Sequence, residues 1–445
     1  MARRRLAVMF TSFAGCLALT VPLAAGAGAE GSGPPSGPAM TVLEPTAVMN
    51  AVGPAPTKAG ILRAVGPALA SPALGRFSAV VIDPTSEDAV LAIRSGVGRT
   101  PASTMKLLTA ASALMVLGST ERLATTVVVS GSTLTLVGGG DATLTRVKRA
   151  GAESATLKAL ARQVADQIAA SPINLRFDNS LFSGPVLGPG WSSSFPAAGV
   201  IAPVTALMVD QGRVRPGALS RVTNPSKQAA QVFADLLRAD GVTVTSIRMG
   251  TAPPDATEIA RVQSPTIGNL VERMLTESDN DLAEALAHLV GGRLSGRATF
   301  ATGAAGVEQT AAKLGLQTAG LVVADGSGLS GQNTVSPVTL AQLLSDIARQ
   351  SDPGLWQVGS GLPVSGFTGT LADRFARGIS ASAAGYVRAK TGTLTGVVAL
   401  AGTVKDVDGR VLVFAVLANG VTSLDAARRA VDDFSSRLAN CGCTS

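Results

Sequence analysis

Apolar positions along the chain recur with two periods, and the switches between them mark out the elements. "FSAVVID" (Phe77–Asp83) and "DAVLAI" (Asp88–Ile93) read as paired strands, with Pro84 to Glu87 as the turn. "TPASTMKLLTAASAL" (Thr100–Leu114) opens with polar and small residues and then runs into an apolar helix pattern. From about Ala124, "TTVVVSGSTLTLVGGGDATL" predicts a hairpin of β-branched residues that ends in a glycine-rich turn. Leu157, Leu160, Ala161, Val164 and Ile168 then repeat at helical spacing. "NPSKQAAQVFADLLRADGVTV" carries Asn224 as a cap, Pro225 in the first turn, an apolar stripe and a terminating Gly241. A further capped helix is expected to start at Ser264–Pro265. Strands "VVALAGTV" and "RVLVFAVLAN" flank the turn Asp408–Gly409, and "LDAARRAVDDFSSRL" predicts a final helix.

Strands at both ends with helices between predict an α/β (α+β) architecture interrupted by an insertion. The expected division is 58–123 and 261–438 as two parts of one domain, 124–260 as an inserted α+β domain, and 439–445 as a tail. Residues 30–57, rich in Pro, Gly and Ala, read as a flexible linker. The first 29 residues have a cationic start, an apolar stretch from Leu6 to about Ala25, and small residues at Ala25, Ala27 and Ala29. That is the layout of an export signal cleaved after Ala27 or Ala29. The apolar stretch also approaches the ~20 residues that span a bilayer, so an uncleaved anchor stays open, the one case in which membrane contact is expected.

Composition narrows the class. With 46% hydrophobic and 15% charged residues, the mature chain should be globular. Aromatic residues at 3% argue against the stacking platforms of single-strand nucleic-acid binders. Arg3, Arg4 and Arg5 supply part of the formal +7 charge, and no basic run follows, so no nucleic-acid partner is expected. Cys441 and Cys443 lie two residues apart at the chain end, either as a small disulfide in an oxidising compartment or as an inert tail. They lack the ligand count of a structural zinc site.

Three short stretches carry candidate chemistry. Ser103 and Lys106 form S-x-x-K at the mouth of the apolar helix; Ser278, Asp279 and Asn280 form S-x-N; Lys390, Thr391, Gly392 and Thr393 precede a strand. Each alone has a bland reading as a helix cap, a turn or a loop. In this order and context they form one set, that of β-lactamases and penicillin-binding proteins. A three-residue step on a helix puts Lys106 within reach of the Ser103 hydroxyl. Ser103 lies in the first turn, where free backbone N–H groups favour developing negative charge. A lysine serves as base only when neutral; desolvation, helped by the positive charge of Lys390, is expected to lower its pKa. The chain has a single histidine, His288, which falls among apolar Leu286 and Leu289 and reads as structural.

These residues resemble the serine D-alanyl-D-alanine carboxypeptidase/endopeptidases, low-molecular-mass penicillin-binding proteins with a large insertion between the first two motifs. The likeness runs from roughly Lys58 to Leu438. "LTLVGGGDATL", "GPGWSSSFPAAGVIAPVTALMVDQG", "SPTIGNLVERMLTESDNDLAEAL", "DGSGLSGQNTVSP", "LPVSGFTGTLADRF" and "RAKTGTLTGVVALAGTV" are similar to the family pattern, in its order. The interval from Ser103 to Ser278 is shorter than in the best-known members, which implies that an accessory subdomain is reduced or absent, and Ala142 stands where proline is expected.

The resemblance implies a β-lactamase/transpeptidase-like domain, an antiparallel sheet with helices on both faces. It implies Ser103 as acylated nucleophile, Lys106 as proton acceptor, and Ser278 as proton relay to the leaving group. Asn280 would hold the acyl-side amide; Lys390, Thr391 and Gly392 would face the substrate carboxylate; the N–H groups of Ser103 and Thr393 would form the oxyanion hole. The implied partner is a peptidoglycan stem peptide ending in D-Ala-D-Ala, with β-lactams as covalent inhibitors, and neither metal nor organic cofactor is required. Such a protein would be exported, to the periplasm, cell wall or beyond. A β-lactamase or esterase on the same fold, or a catalytically idle cell-wall scaffold, remain the alternatives.

Overall fold

The computed structural model describes residues 53–148, 153–168 and 172–444. The expected export signal, most of the expected linker and Ser445 lie outside the described residues.

Ten helices and ten strands are named here in chain order. They are α1 (Lys58–Leu69), β1 (Arg76–Ile82), β2 (Ala89–Ile93), α2 (Lys106–Leu117), β3 (Arg122–Ser130), β4 (Thr133–Val137) and α3 (Leu157–Ala165). Then come β5 (Ile173–Asp178), α4 (Pro225–Ala239), β6 (Val244–Met249), β7 (Thr257–Thr266), α5 (Ile267–Glu277), α6 (Asn280–Ser295) and α7 (Phe300–Lys313). The chain continues through α8 (Pro337–Ala348), α9 (Trp356–Ser360), β8 (Val387–Leu394), β9 (Val397–Lys405), β10 (Val411–Asn419) and α10 (Leu424–Ala439).

One sheet has the order β2-β1-β10-β9-β8 and is antiparallel throughout. Its central strand, β10, explains why "RVLVFAVLAN" is apolar at almost every position. Val413, Ala415 and Leu417 pack into a core with α2, α5, α6, α7 and α8. Leu412, Phe414, Val416 and Ala418 face the opposite core, with α1 and α10. A strand buried on both faces loses the polar half of its alternation. This is the expected antiparallel sheet with helices on both faces.

The second sheet, β6-β5-β4-β3-β7, draws all its strands from residues between α2 and α5 and is mixed. β3 pairs antiparallel with β4 and β7, whereas β4–β5 and β5–β6 are parallel. Its core contains Val127, Leu136, Leu160, Val164, Leu175, Phe233 and Leu237, so α3 and α4 cover it through the stripes their spacing predicts. The Asn224 side chain caps α4 by accepting from the Lys227 N–H at 2.9 Å.

One expected boundary moves. Ser264 and Pro265 do not open a helix; they lie in β7, and Thr266 is the cap of α5. The Ser264 hydroxyl instead accepts from the Leu123 N–H at 2.9 Å, tying β7 to β3. Serine suits both a cap and a local ladder repair, so the residue type alone could not separate them.

At the other end, Cys441 and Cys443 are joined in a disulfide and buried, in place of an inert tail. The Cys443 carbonyl accepts from the Thr57 N–H at 2.7 Å, so the chain end is fastened to the cap of α1. No helix among the described residues is long and apolar enough to cross a membrane.

Candidate active site

The turn before α2 is held in a costly conformation. Ala102 has φ of 47°, a left-handed value that a residue with a Cβ adopts at a cost of about 1 kcal/mol or more. Two glycines permit it. Gly328, with φ of 81°, packs its backbone against the Ala102 carbonyl, where a Cβ would collide. Gly392 of β8 lies so close that a Cβ would stand 2.6 Å from the Pro101 carbonyl oxygen. Ser103 follows in a 3-10 turn (Ala102–Met105) and Lys106 opens α2, which puts both side chains on one face.

Lys106 is fully buried, and its Nζ lies 2.9 Å from Ser103 Oγ, 2.7 Å from Asn280 Oδ1 and 2.7 Å from the Ser327 carbonyl. Burial pushes its pKa down to about 8, against the opposite pull of Glu284, Asp325, Asp279 and Asp281. The expected help from the charge of Lys390 is not among the causes. The lysine–lysine repulsion is felt at Lys390, whose pKa is held well below the usual value by burial, then by Lys106 and Arg374.

The second motif sits at a helix–helix corner. Ser278 ends α5 in a left-handed conformation, φ 56°, and Asp279 caps α6 by accepting from the Leu282 N–H at 3.1 Å. That corner turns Ser278 Oγ towards Lys390 Nζ, at 2.8 Å. Three consecutive residues here hold the long loop before α4. Asp279 accepts from Gln211 Nε2 at 2.7 Å, Asn280 Nδ2 donates to the Val200 carbonyl at 2.9 Å, and Asp281 accepts from the Ala202 N–H at 2.8 Å. Asp281 also pairs with buried Arg221 at 3.3 Å.

The third motif lies on β8, at the edge of the first sheet. Lys390 is fully buried and also donates to the Thr391 carbonyl at 3.0 Å; Thr391 Oγ1 lies 2.9 Å from Thr370 Oγ1. Thr393 follows on the same strand, partly exposed, in register with Val398. The structure therefore forms two hydrogen-bonded groups, Ser103 with Lys106 and Asn280, and Ser278 with Lys390, joined along the chain by the 278–280 corner, and it sets Gly392 against the Ser103 turn. His288 lies elsewhere, between the rings of Phe182 and Phe300 at 4.9 and 4.6 Å, with burial pushing its pKa down to about 4.

Several participants were not singled out from the sequence. Ser327 supplies a carbonyl, which no side-chain pattern announces. Asp325 collects Trp191 Nε1 at 2.7 Å, the Gly328 and Ser330 N–H groups at 2.8 and 2.5 Å, and Asn333 Nδ2 at 2.7 Å. It thereby shapes the loop that presents Ser327. The available signal was the dense Asp-Gly-Ser-Gly composition of "DGSGLSGQN".

The sequence profile of the D-Ala-D-Ala carboxypeptidase 3 (S13) family matches residues 62–220 and 215–441. The chain belongs to that family. Among its relatives, carboxypeptidase DacB of Mycolicibacterium smegmatis is 35% identical over 422 residues, 92% of this chain and 90% of that protein. A carboxypeptidase of Mycobacterium tuberculosis is 33% identical over 401 residues, 87% and 86% of the two chains. The solved penicillin binding protein 4 (dacB) of Haemophilus influenzae has a TM-score of 0.71 at 23% identity, covering 83% of this chain and 97% of its own. At that identity the likeness shows the fold, which is the transpeptidase-like architecture that the motifs implied. This S13 chain is thus a serine D-Ala-D-Ala carboxypeptidase family member in sequence and in fold.

Proposed function

We propose that this S13 protein is a penicillin-binding D-Ala-D-Ala carboxypeptidase that acts on peptidoglycan stem peptides through an acyl-enzyme at Ser103. One observation carries the reading: the three partners of Lys106 Nζ. A neutral amine has two N–H donors and one lone pair. Asn280 Oδ1 and the Ser327 carbonyl are acceptors only, so they use both N–H groups. The lone pair is left for the Ser103 hydroxyl, and Lys106 takes that proton as Oγ attacks the carbonyl carbon of the penultimate D-Ala.

As the C–N bond breaks, the departing D-Ala amine needs a proton, and in this reading Ser278 relays one, which its hydrogen bond with Lys390 supports. Water then hydrolyses the acyl ester. In this reading the N–H groups of Ser103 and Thr393 receive the oxyanion. Lys390 and Thr391 face the terminal carboxylate, with Gly392 keeping β8 close. Asn280 Nδ2 keeps one N–H, beyond that given to Val200, for the acyl-side carbonyl. β-Lactams acylate the same serine, a reading supported by the penicillin-binding name of the Haemophilus influenzae neighbour.

Export is part of the proposal. The cationic and apolar N-terminal pattern and a wall substrate support 1–29 as a signal and 30–57 as a tether, with 124–260 inserted between 58–123 and 261–438.

The test is a digest of purified peptidoglycan beside a stem peptide ending in D-Ala-D-Ala, with products identified by mass. Loss of one D-Ala residue is expected. Fast turnover of penicillin with no D-Ala released would instead make the protein a β-lactamase on this fold.

A further inference from the structure

Glu284 is a fully buried carboxyl on α6 that the reaction above does not use. Its Oε1 accepts from the Ser327 N–H at 2.7 Å and its Oε2 from the Gly326 N–H at 3.1 Å. From α2, the Thr109 hydroxyl donates to the Gly326 carbonyl at 2.7 Å. Gly326 is pressed onto α6, where a Cβ would stand 2.6 Å from Ala287 Cβ and 2.8 Å from the Ala283 carbonyl oxygen. The peptide groups at 326 and 327 are thus fixed by both helices. The next acceptor along the chain is the Ser327 carbonyl, 2.7 Å from Lys106 Nζ.

Packing does not explain a carboxyl at this place. Burial, with Asp325 adding repulsion, pushes its pKa up to about 8, so the site disfavours the charged form of this group. An apolar side chain would avoid that cost but would leave two buried N–H groups unpaired.

We infer that Glu284 is a positioning residue for Lys106: it holds the Gly326 and Ser327 peptide groups so that the Ser327 carbonyl takes one amine N–H and leaves the lone pair to Ser103. The inference rests on Lys106 being the proton acceptor. Lys106 is faced by Glu284 and Asp281 of α6, by Asp279 at its cap, by Asp325 of the loop and by Lys390 of β8. Glu284 is faced by Asp325 and Lys106, and one turn on by His288, whose Nδ1 lies 2.8 Å from the Glu284 carbonyl.

The experiment measures the second-order rate of acylation by a fluorescent penicillin from about pH 6 to about pH 10 in the full chain. Glu284→Gln keeps one acceptor but sets an NH2 against a backbone N–H, so the Ser327 carbonyl turns from the amine. The plateau is expected to fall at least ~10-fold. The acid limb is expected to move to lower pH, because a carboxylate that raises the Lys106 pKa has gone. A merely structural role would lower the active fraction and leave the limb in place. Should Glu284→Gln fail to fold, Thr109→Val decides: it removes no charge, so the limb stays, and a lowered plateau per titrated active site is expected, which a mere loss of active fraction would not give.

Folded Glu284→Gln with the wild-type plateau and limb would overturn the inference, as would wild-type acylation in Thr109→Val where that variant decides. Lys106→Ala separates the two levels. Wild-type acylation there removes the base reading itself, and this inference with it.

Discussion

The side-chain oxygen of Asn280 lies 2.7 Å from the amine of Lys106, and its nitrogen donates to the Val200 carbonyl at 2.9 Å. The second contact fixes which end of the amide faces the lysine, since a carbonyl accepts only from the NH2 end. A segment of the long loop before α4 therefore sets the polarity of a contact at the nucleophile's base.

Asn280→Asp replaces that neutral acceptor by a carboxylate and turns an oxygen towards the Val200 carbonyl. A negative charge beside the amine favours the protonated lysine, so its pKa rises from about 8. Acylation by penicillin at neutral pH should fall ~100-fold, with partial recovery as the pH is raised. A loss of equal size at every pH would show that Asn280 acts only through the substrate.

Ser103→Ala should abolish covalent penicillin labelling, read as the absence of an adduct in the intact-protein mass. The fold should persist. Ser103 is only partly buried, and in the variant Lys106 Nζ retains Asn280 Oδ1 and the Ser327 carbonyl. A labelled Ser103→Ala protein would place the nucleophile elsewhere.

Acylation should rise with pH and reach half its plateau near the Lys106 pKa of about 8, because the amine is reactive only when deprotonated. Lys106→Arg sharpens the point. A guanidinium keeps charge and donors but does not deprotonate at accessible pH, so acylation should drop ~1,000-fold and lose its acid limb. A rate within tenfold of wild type would require another base.

What the sequence made legible follows the range of the interactions. Ser103 and Lys106 are one helical turn apart, and Lys390 to Thr393 lie on one strand, so local spacing and order exposed them. The same holds for the stripe of α4 and the apolar run of β1. Ser327 was hidden because its contribution is a backbone oxygen. Thr370 was hidden because its contact with Thr391 crosses from a loop to a strand. Glu284 sits in an apolar helix among Leu282, Ala283, Ala285 and Leu286, where a single carboxylate normally reads as the solvent face. Ser264 shows the converse: a residue type read as a cap, used to mend a strand pair.

Gly392→Ala tests the approach of β8 to the Ser103 turn. The added Cβ would stand 2.6 Å from the Pro101 carbonyl oxygen and 3.0 Å from Ala399 Cβ, both on firm structure, so the strand or the turn must move. Overpacking of this kind costs about 1–3 kcal/mol. Because the displaced turn carries Ser103, acylation of the folded fraction should fall as well. A variant with lower Tm but unchanged acylation would separate the packing from the geometry of the nucleophile.

Arg221 and Asp281 offer a test of how the loop before α4 is fastened to the second motif. Their side chains are 5% and 3% exposed and 3.3 Å apart, so both charges are shielded from solvent. Burial, then Asp279, pushes the Asp281 pKa up to about 7, while Arg221 pulls it down. Removing one partner of a buried pair costs about 3–5 kcal/mol when the other stays charged. In Arg221→Ala the carboxyl has a second course, because its pKa rises further and it can take a proton.

The sign follows from proton binding. A folded-state pKa above the unfolded value makes the folded state bind more protons, so stability falls as pH rises until that pKa is passed. Wild type completes this loss near pH 7, whereas Arg221→Ala continues to lose stability above it. Urea unfolding at about pH 6 and about pH 8.5 should therefore show a deficit that grows with pH. In Arg221→Ala/Asp281→Asn the growth should vanish and part of the deficit should return, as a double-mutant cycle measures. Equal deficits at both pH values would mean that Asp281 stays charged without its arginine, with the Ala202 N–H as the remaining partner that holds its carboxylate.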